Sequence, residues 1–565
     1  MAACKPSSPQ DKADDREGGA LSHSFTLSQS EFDGLSPEDQ FMVANKVLST
    51  MYRGIPADEF FDLTQGLDDP VVQYTNFINR TQSALQRDLS NSEIVALNQD
   101  IFGVVDNPET QDIDESIPAR FTNIDNNEPH QIFMARAHTY PISHNQFVQW
   151  MSFFLANTIM FSPAREMDST NNQDVDRVLG YLEKSLTQGK SMREIVRGWM
   201  HNLSRWRVSR SPENHALEMF ELYLGVFNDT PEEQQNTING GKACSEWYLT
   251  DNDADYQLLR DNTQYGTAEP VKVFNQYVYD CDDLYDVVAG HPLLIPRLIE
   301  VISNYFLDGM SAAKKLAVVK NVAATNPETF DDVFLAIMFS KTFLLESERP
   351  KSFEENAFNF LHAMHWTPRS NSFPLDRAVL DRVYDSSGNN INVGVHNMGW
   401  AAMDYKIGRT PFLPMDVLSF ATYHQGIRES VLLNAKAYDG ERFPEVRDYT
   451  EAAIPREPPI EIINGAFYVA GTENLKPELE NLSGAEFVDF VFMTAMGRRA
   501  TTEESTAFVS EGLRRNFLFE DEFGVVRPTK TNGNSYWENL TDDYARLMLD
   551  YMSRLPEFYY YRAVQ

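Results

Sequence analysis

Ser211-Pro212-Glu213-Asn214-His215-Ala216-Leu217-Glu218-Met219-Phe220-Glu221-Leu222-Tyr223-Leu224-Gly225-Val226 reads as one helix with both ends marked. Ser211 offers a hydroxyl to the unpaired N–H groups of the first turn, and Pro212 suits the first helical position, where no N–H is needed. Glu213 stands at the positive end of the helix dipole. Gly225 can close the helix in the left-handed conformation. Leu217, Phe220 and Leu224 recur at three- and four-residue spacing, which predicts a face packed into a core.

The same periodicity extends outward in both directions. Upstream, Met192 to Trp206 places Ile195, Val196, Trp199, Met200, Leu203 and Trp206 on one stripe. Downstream, Leu293–Phe306, Ala313–Ala324, Asp331–Leu345 and Phe353–Met364 read as helices, as do Met415–Leu433, Ala485–Met496, Glu503–Leu513 and Asp542–Met552. Near the start, Pro37-Glu38 precedes Phe41, Val43, Val47 and Leu48, with a break at Gly54-Ile55-Pro56 and a new start at Asp58. Trp150 to Phe161 is the most apolar stretch. It falls short of the roughly twenty residues a membrane span needs, and reads as a buried helix. Strand signals are few. Ile460 to Val469, turning at Asn464-Gly465, is the best hairpin. Three polar stretches, Gly103–Glu128, Asn228–Gly266 and Tyr438–Pro459, read as loops or linkers.

The expected fold class is therefore mainly α, a large multi-helix body with helix-turn-helix elements and a minor β-hairpin. Its expected regions are a disordered tether over 1–30, an N-terminal helical region over 31–190, a helical core over 191–435 and a C-terminal region over 436–565. A faint echo links Met51–Glu59 with Met496–Glu504, each following an apolar helix. It reads as a helix–turn–helix capped by Asp58 in one copy and by Thr501 or Thr502 in the other. The alternative is an Arg-lined binding site.

Composition limits the function. The chain has 565 residues, with 83 Asp and Glu against 48 Lys and Arg, a net charge of -35. Phosphate binding needs a cationic surface, so a nucleic-acid partner is excluded from the expected partners. The hydrophobic fraction, 42%, suffices for a core. Three cysteines exclude a disulfide-rich scaffold, and no C-x-x-C-H occurs for covalent haem. Cys244 and Cys281 can pair in an oxidising compartment, but their separation in sequence does not decide it.

Met1-Ala2-Ala3-Cys4 resembles a bacterial lipobox, and Lys5 to Gly19 is a polar, charged stretch suited to a flexible tether. No apolar stretch precedes Cys4, so the expectation is a native chain that begins upstream and is lipidated at Cys4. Lys5, where Asp would resemble an inner-membrane retention signal, favours the outer membrane. The expected address is the cell envelope, with the lipid anchor as the sole membrane contact. The alternative is a cytoplasmic chain with a frayed end.

Several residue groups could carry chemistry. His215, Glu218 and Glu221 fall three apart on one helix and could ligate a metal. The structural alternative is a capped, salt-bridged helix. His362 and His365 share i, i+3 spacing, and could be ligands or a satisfied pair. Asp251-Asn252-Asp253-Ala254-Asp255-Tyr256 starts like a calcium loop, but Tyr256 and Asn262 replace the required Gly and Glu. Asp280-Cys281-Asp282-Asp283 reads as a solvated helix start whose charges make Cys281 a poor nucleophile. Ser311-Ala312-Ala313-Lys314 matches S-x-x-K without its companion motifs and reads as a helix cap. No motif specifies a cofactor, and G-x-S-x-G, H-E-x-x-H, P-loop and G-x-G-x-x-G patterns are absent.

The opening segment resembles the signature of the bacterial domain-of-unknown-function 1800 family, roughly N-E-N-[YF]-A-R-E-L-[LM]-E-L-x-T-L-G-V. Glu213, Asn214 and Gly225 occupy motif positions. Ala243-Cys244-Ser245-Glu246-Trp247 is similar to its A-L-T-G-W, with Trp247 matched. His291-Pro292, before the helix to Phe306, is similar to its H-P-x-x-A-x-F. Ser340-Lys341-Thr342-Phe343 with Arg349-Pro350, and Met398-Gly399 with Pro414–Phe420, continue the likeness over about residues 190 to 435. Leu217 replaces the family's Arg and Glu246 its Gly, so no role of that Arg transfers. The family has no settled activity. The resemblance implies export and a partner among secreted proteins of the 1501 class. The expected function is an exported lipoprotein acting as an interaction or scaffold component. The alternatives are a metal-assisted hydrolase using His215, Glu218 and Glu221, and a surface glycan-binding protein. Whether it is an enzyme at all stays open.

Overall fold

The computed structural model describes residues 23–52, 144–160, 181–202, 211–245, 269–349 and 351, most of 488–508 and 551–564, and short strand pairs within 247–260, 461–468 and 518–528. These residues are mainly helical with minor β structure, as the periodicity predicts. The expected features at Cys4, Gly54–Asp58, Asp251–Tyr256, His362 and His365, and Met398–Phe420 lie outside the described residues.

Helices α1 (Gln29–Asp33) and α2 (Pro37–Tyr52) open the body, followed by α3 (His144–Thr158) and α4 (Met192–Asn202). The signature segment forms α5 (Pro212–Met219), continued by a π turn over Phe220–Leu224. Then come α6 (Pro231–Ala243), α7 (Cys281–Gly290), α8 (Leu294–Phe306), α9 (Ala312–Ala324) and α10 (Phe330–Met338), with a second π turn over Thr342–Glu346. Two short helices, α11 (Thr502–Thr506) and α12 (Pro556–Tyr559), lie near the end. Ser211, Ser311 and Thr501 each cap a helix as expected, their hydroxyls accepting the N–H groups of Asn214, Lys314 and Glu504.

One hydrophobic cluster joins these helices. It includes Phe41 and Val47 of α2, Trp150 and Phe154 of α3, Trp199 of α4, Phe220, Leu284, Phe306, Phe334, Phe492 and Met552. At its centre the rings of Trp150, Phe154, Tyr305, Phe306 and Phe334 meet at centroid distances of 4.9 to 6.1 Å. Tilted and edge-to-face contacts dominate, the arrangements that aromatic quadrupoles favour. The apolar stretch from Trp150 is thus a buried helix, α3.

Four two-stranded antiparallel hairpins are present among the described residues. The expected one pairs β5 (Glu461–Ile463) with β6 (Ala466–Tyr468). The others pair β1 (Trp247–Leu249) with β2 (Leu258–Arg260), β3 (Val271–Val273) with β4 (Gln276–Val278), and β7 (Leu518–Glu520) with β8 (Val526–Pro528). All eight described strands have three residues, too few for an alternating pattern, and β5–β6 is legible through its Asn464-Gly465 turn signal in the sequence.

Two expectations need correction. Asn228–Gly266 is not simply a linker, because it contains the 13-residue α6. Thr230 caps this helix and Pro231 starts it. Its buried face is Asn236, Thr237, Gly240, Gly241 and Ala243, with almost no apolar signal. The glycines allow α6 to lie against α5. A Cβ at Gly240 would stand 2.8 Å from the Ala216 Cβ, and one at Gly241 2.7 Å from the Glu213 Cα. Nor is Asp331–Leu345 one helix. Ser340 interrupts it, its hydroxyl donating to the Ile337 carbonyl and accepting the Phe343 N–H. Its backbone forms an antiparallel bridge with Thr26.

Candidate functional site

The signature helix is built as its sequence dictates up to Met219. Ser211 holds the Asn214 N–H at 3.2 Å, with Glu213 in the exposed first turn. The helix then widens into the π turn, which Gly225 closes at φ 68 and ψ 31. A side chain there would be strained by the positive φ and would meet Arg297 at 3.4 Å. The wider turn buries Phe220, Leu222, Tyr223 and Leu224 together. It also takes Glu221 off the regular α-helical spacing assumed for the His215, Glu218 and Glu221 stripe.

These three residues have different surroundings. His215 is fully buried, its Nε2 3.1 Å from the Tyr285 hydroxyl on α7, with the two rings edge-to-face. Glu218 and Glu221 are partly exposed. Burial raises the Glu221 carboxyl above its ordinary pKa. Among the described residues no three His, Cys, Asp or Glu side chains come together as a cation site.

Cys244 and Cys281 do come together. They form a disulfide with Cα atoms 4.3 Å apart, and both are completely buried. It ties the end of α6 to the start of α7, where Asp280 caps the helix by accepting the Asp283 N–H. The acidic start of α7 is thus a helix cap, and its cysteine is bonded rather than a thiol.

A polar seam between α4 and α7 is legible only after the fact. Arg193, Arg197 and His201 recur every four residues along α4, and Asp282 and Asp286 do so along α7. His201 Nδ1 lies 2.8 Å from Asp282, and Arg197 pairs with Asp286. Arg193 donates to the carbonyls of Ala289 and His291 at 2.5 and 3.1 Å, satisfying the end of α7. The matching i, i+4 spacings are the signal in the sequence, but nothing local says that the two helices are neighbours.

The remaining motif positions have structural surroundings. His291 follows α7 as its C-cap, and α8 begins only at Leu294, so His291-Pro292 form the turn before the helix. Burial, and then the Arg193 charge, lower the His291 pKa. Its Nδ1 accepts the Leu293 N–H at 3.2 Å. Pro292 is exposed, and Trp247 lies in β1 opposite Arg260. The turn between β3 and β4 has Phe274 and Asn275 at φ 45 and 63. Phe274 holds that conformation because its ring packs on Phe220 and His291 and its N–H donates to Asn236. Val273 and Val278 face inward, while Tyr277 and Tyr279 are 63% and 59% exposed. Lys272, directly across from Tyr277, places its Nζ 5.1 Å from that ring.

A second polar cluster surrounds the echo segment. Arg498 pairs with Glu504 through two hydrogen bonds of 2.8 and 2.9 Å, and the Tyr551 hydroxyl donates to Glu504 at 2.7 Å. Burial opposes the Glu504 charge, but Arg498, the Thr501 N–H and Tyr551 outweigh it and hold the carboxyl at about 2. Arg498 is nearly buried over the Phe492 ring, so this arginine fastens the fold rather than lining an open site.

Comparison of the chain with models of known families, with curated proteins and with solved structures finds no match in any of the three. The family resemblance therefore rests on the motif residues alone.

Proposed function

We propose that this chain is an exported lipoprotein, anchored through Cys4, that acts as an interaction or scaffold component with another secreted protein. The observation that carries the reading is the buried Cys244–Cys281 disulfide. Structural disulfides persist in oxidising compartments and are rare in a mesophilic cytosol. The motif positions support the scaffold part of the reading, since their described surroundings cap, turn and pack helices. No helix among the described residues is long and apolar enough to cross a membrane. The test is mass spectrometry of protein isolated from native envelopes, with thiol alkylation before and after reduction. A diacylated Cys4, a protected Cys244–Cys281 pair and a stoichiometric secreted partner are expected. Free thiols and an unmodified amino terminus in soluble cell extract would overturn it.

A second reading, a surface glycan-binding protein, is favoured by the exposed Tyr279 and by the exposed Tyr277 beside Lys272. Exposed rings of this kind can stack on sugar rings. Retention on polysaccharide that is lost in Tyr277→Ala supports it, and equal elution of both proteins counts against it.

A further inference from the structure

The two ends of the described body meet on one segment, residues 339–351. From the N-terminal side, the Leu27 N–H donates to Phe339 and the Lys341 N–H to Phe25, at 3.0 and 2.9 Å. From the C-terminal side, the Val564 N–H donates to Leu345, the Tyr561 N–H to Arg349 and the Lys351 N–H to Tyr559, at 2.8, 3.0 and 2.7 Å. Three buried basic side chains bind these pairings together. Lys46 of α2 donates from Nζ to the carbonyls of Phe343, Leu344 and Ser347 at 3.1, 3.1 and 2.8 Å. The π turn and the residues after it present those carbonyls inward. Arg349 donates to Tyr305 and to Thr50 at 3.2 and 3.1 Å, with its guanidinium 4.8 and 4.9 Å from the Tyr305 and Tyr561 rings. The Thr50 and Tyr561 hydroxyls lie 3.3 Å apart. Lys351 donates to the Glu557 carbonyl at 2.9 Å and stands 5.2 Å from the Tyr561 ring.

We propose that this junction is a two-ended latch, in which the N-terminal segment and the C-terminal segment open together because both are fastened to residues 339–351 through Lys46, Thr50, Arg349 and Tyr561. A path of direct contacts runs from α2 through Arg349 to Tyr561, so loosening one end removes partners from the other. Such coupling is reciprocal by thermodynamic linkage. A pull on the N-terminal segment is thereby delivered to the C-terminal segment. The latch stands on these contacts and holds whether or not the chain is lipidated.

Hydrogen exchange on the full chain tests it in both directions. In Lys46→Met, the amides of Lys351, Tyr561 and Val564 are expected to exchange at least about tenfold faster, while Leu284 to Val288 in α7 keep their wild-type rates. In Tyr561→Phe, a milder change that keeps the ring, the amides of Leu27 and Lys341 are expected to exchange roughly three- to tenfold faster. Faster exchange confined to residues 23–52 in Lys46→Met, or an equal rise in α7, would overturn the latch. So would unchanged rates at Leu27 and Lys341 in Tyr561→Phe, which decides the matter alone if Lys46→Met does not fold.

Discussion

The α5–α6–α7 region and the junction where the ends of the described body meet are both buried, yet different forces hold them. In the first, glycines let two helices touch and a disulfide joins the second to the third. Its links span tens of residues, and the disulfide bridges 37. In the second, basic side chains reach carbonyls and hydroxyls, and the Lys46 bonds connect residues about 300 apart. Shape and covalent bonding are insensitive to protonation. A buried charge is satisfied only while every partner stays in place. The two regions should therefore fail differently.

The largest expected loss is at the C-terminal charge cluster. Arg498→Met leaves Glu504 in a site with its main counter-charge gone, and should cost about 3–5 kcal/mol in denaturant unfolding. The same variant should flatten the acid limb. The folded-state Glu504 pKa of about 2 lies below the ordinary carboxylate range. Its contribution is thus present above about pH 4.5 and is lost as pH falls towards 2. A thermal midpoint that falls equally in wild type and Arg498→Met would remove Glu504 from the account. Lys46 acts in the opposite window. Burial, and then the Arg349 charge, hold its amine down to about 7 against the pull of Glu348. The unfolded chain then binds more protons above neutrality, so stability from this group should grow as pH rises from about 7 towards the ordinary lysine range.

The covalent side of the comparison comes next. Replacing both Cys244 and Cys281 by Ser opens a closed loop of that length and should cost about 3–4 kcal/mol. The loss should barely change with pH. A reductant should have no effect on the folded protein without denaturant, because both sulfurs are buried. Ready reduction in native buffer would mean that the α6–α7 link opens locally.

These contrasts also explain what the sequence reveals. Ser211, Pro212 and Gly225 act on backbone groups within a few residues, so α5 and its ends are legible from residue identities. The mainly helical class follows from stripes such as that of α4. Helix α6 escapes because its buried face is Asn, Thr and Gly, which carry no hydrophobic period. The π turn escapes because it changes the spacing without changing the composition. It also separates Glu221 from the stripe that made a His–Glu–Glu set plausible. Lys46 and Lys351 look like ordinary surface residues in the chain, and the motif likeness at Arg349 says nothing of burial. Their burial is decided by partners hundreds of residues away. The disulfide stands between these cases, since both cysteines are visible but only the packing of α6 against α7 brings them together.

The contact between α5 and α6 isolates shape from charge. Gly241→Ala would add a Cβ 2.7 Å from the Glu213 Cα, with the Glu213 backbone N and Cβ both at 2.9 Å. A backbone atom cannot swing aside as a flexible side chain can, so the helices must separate. An overpacked contact of this kind costs roughly 1–3 kcal/mol. That should exceed the loss from Ser211→Ala, which removes one capping bond from α5 and should cost about 1 kcal/mol. Both changes act on the first turn of α5, one from the facing helix α6 and one from its own cap, so the order of their unfolding midpoints compares close packing with capping directly. If Ser211→Ala proves the more damaging, α5 is held by its own first turn and the approach of α6 matters less than the glycines imply.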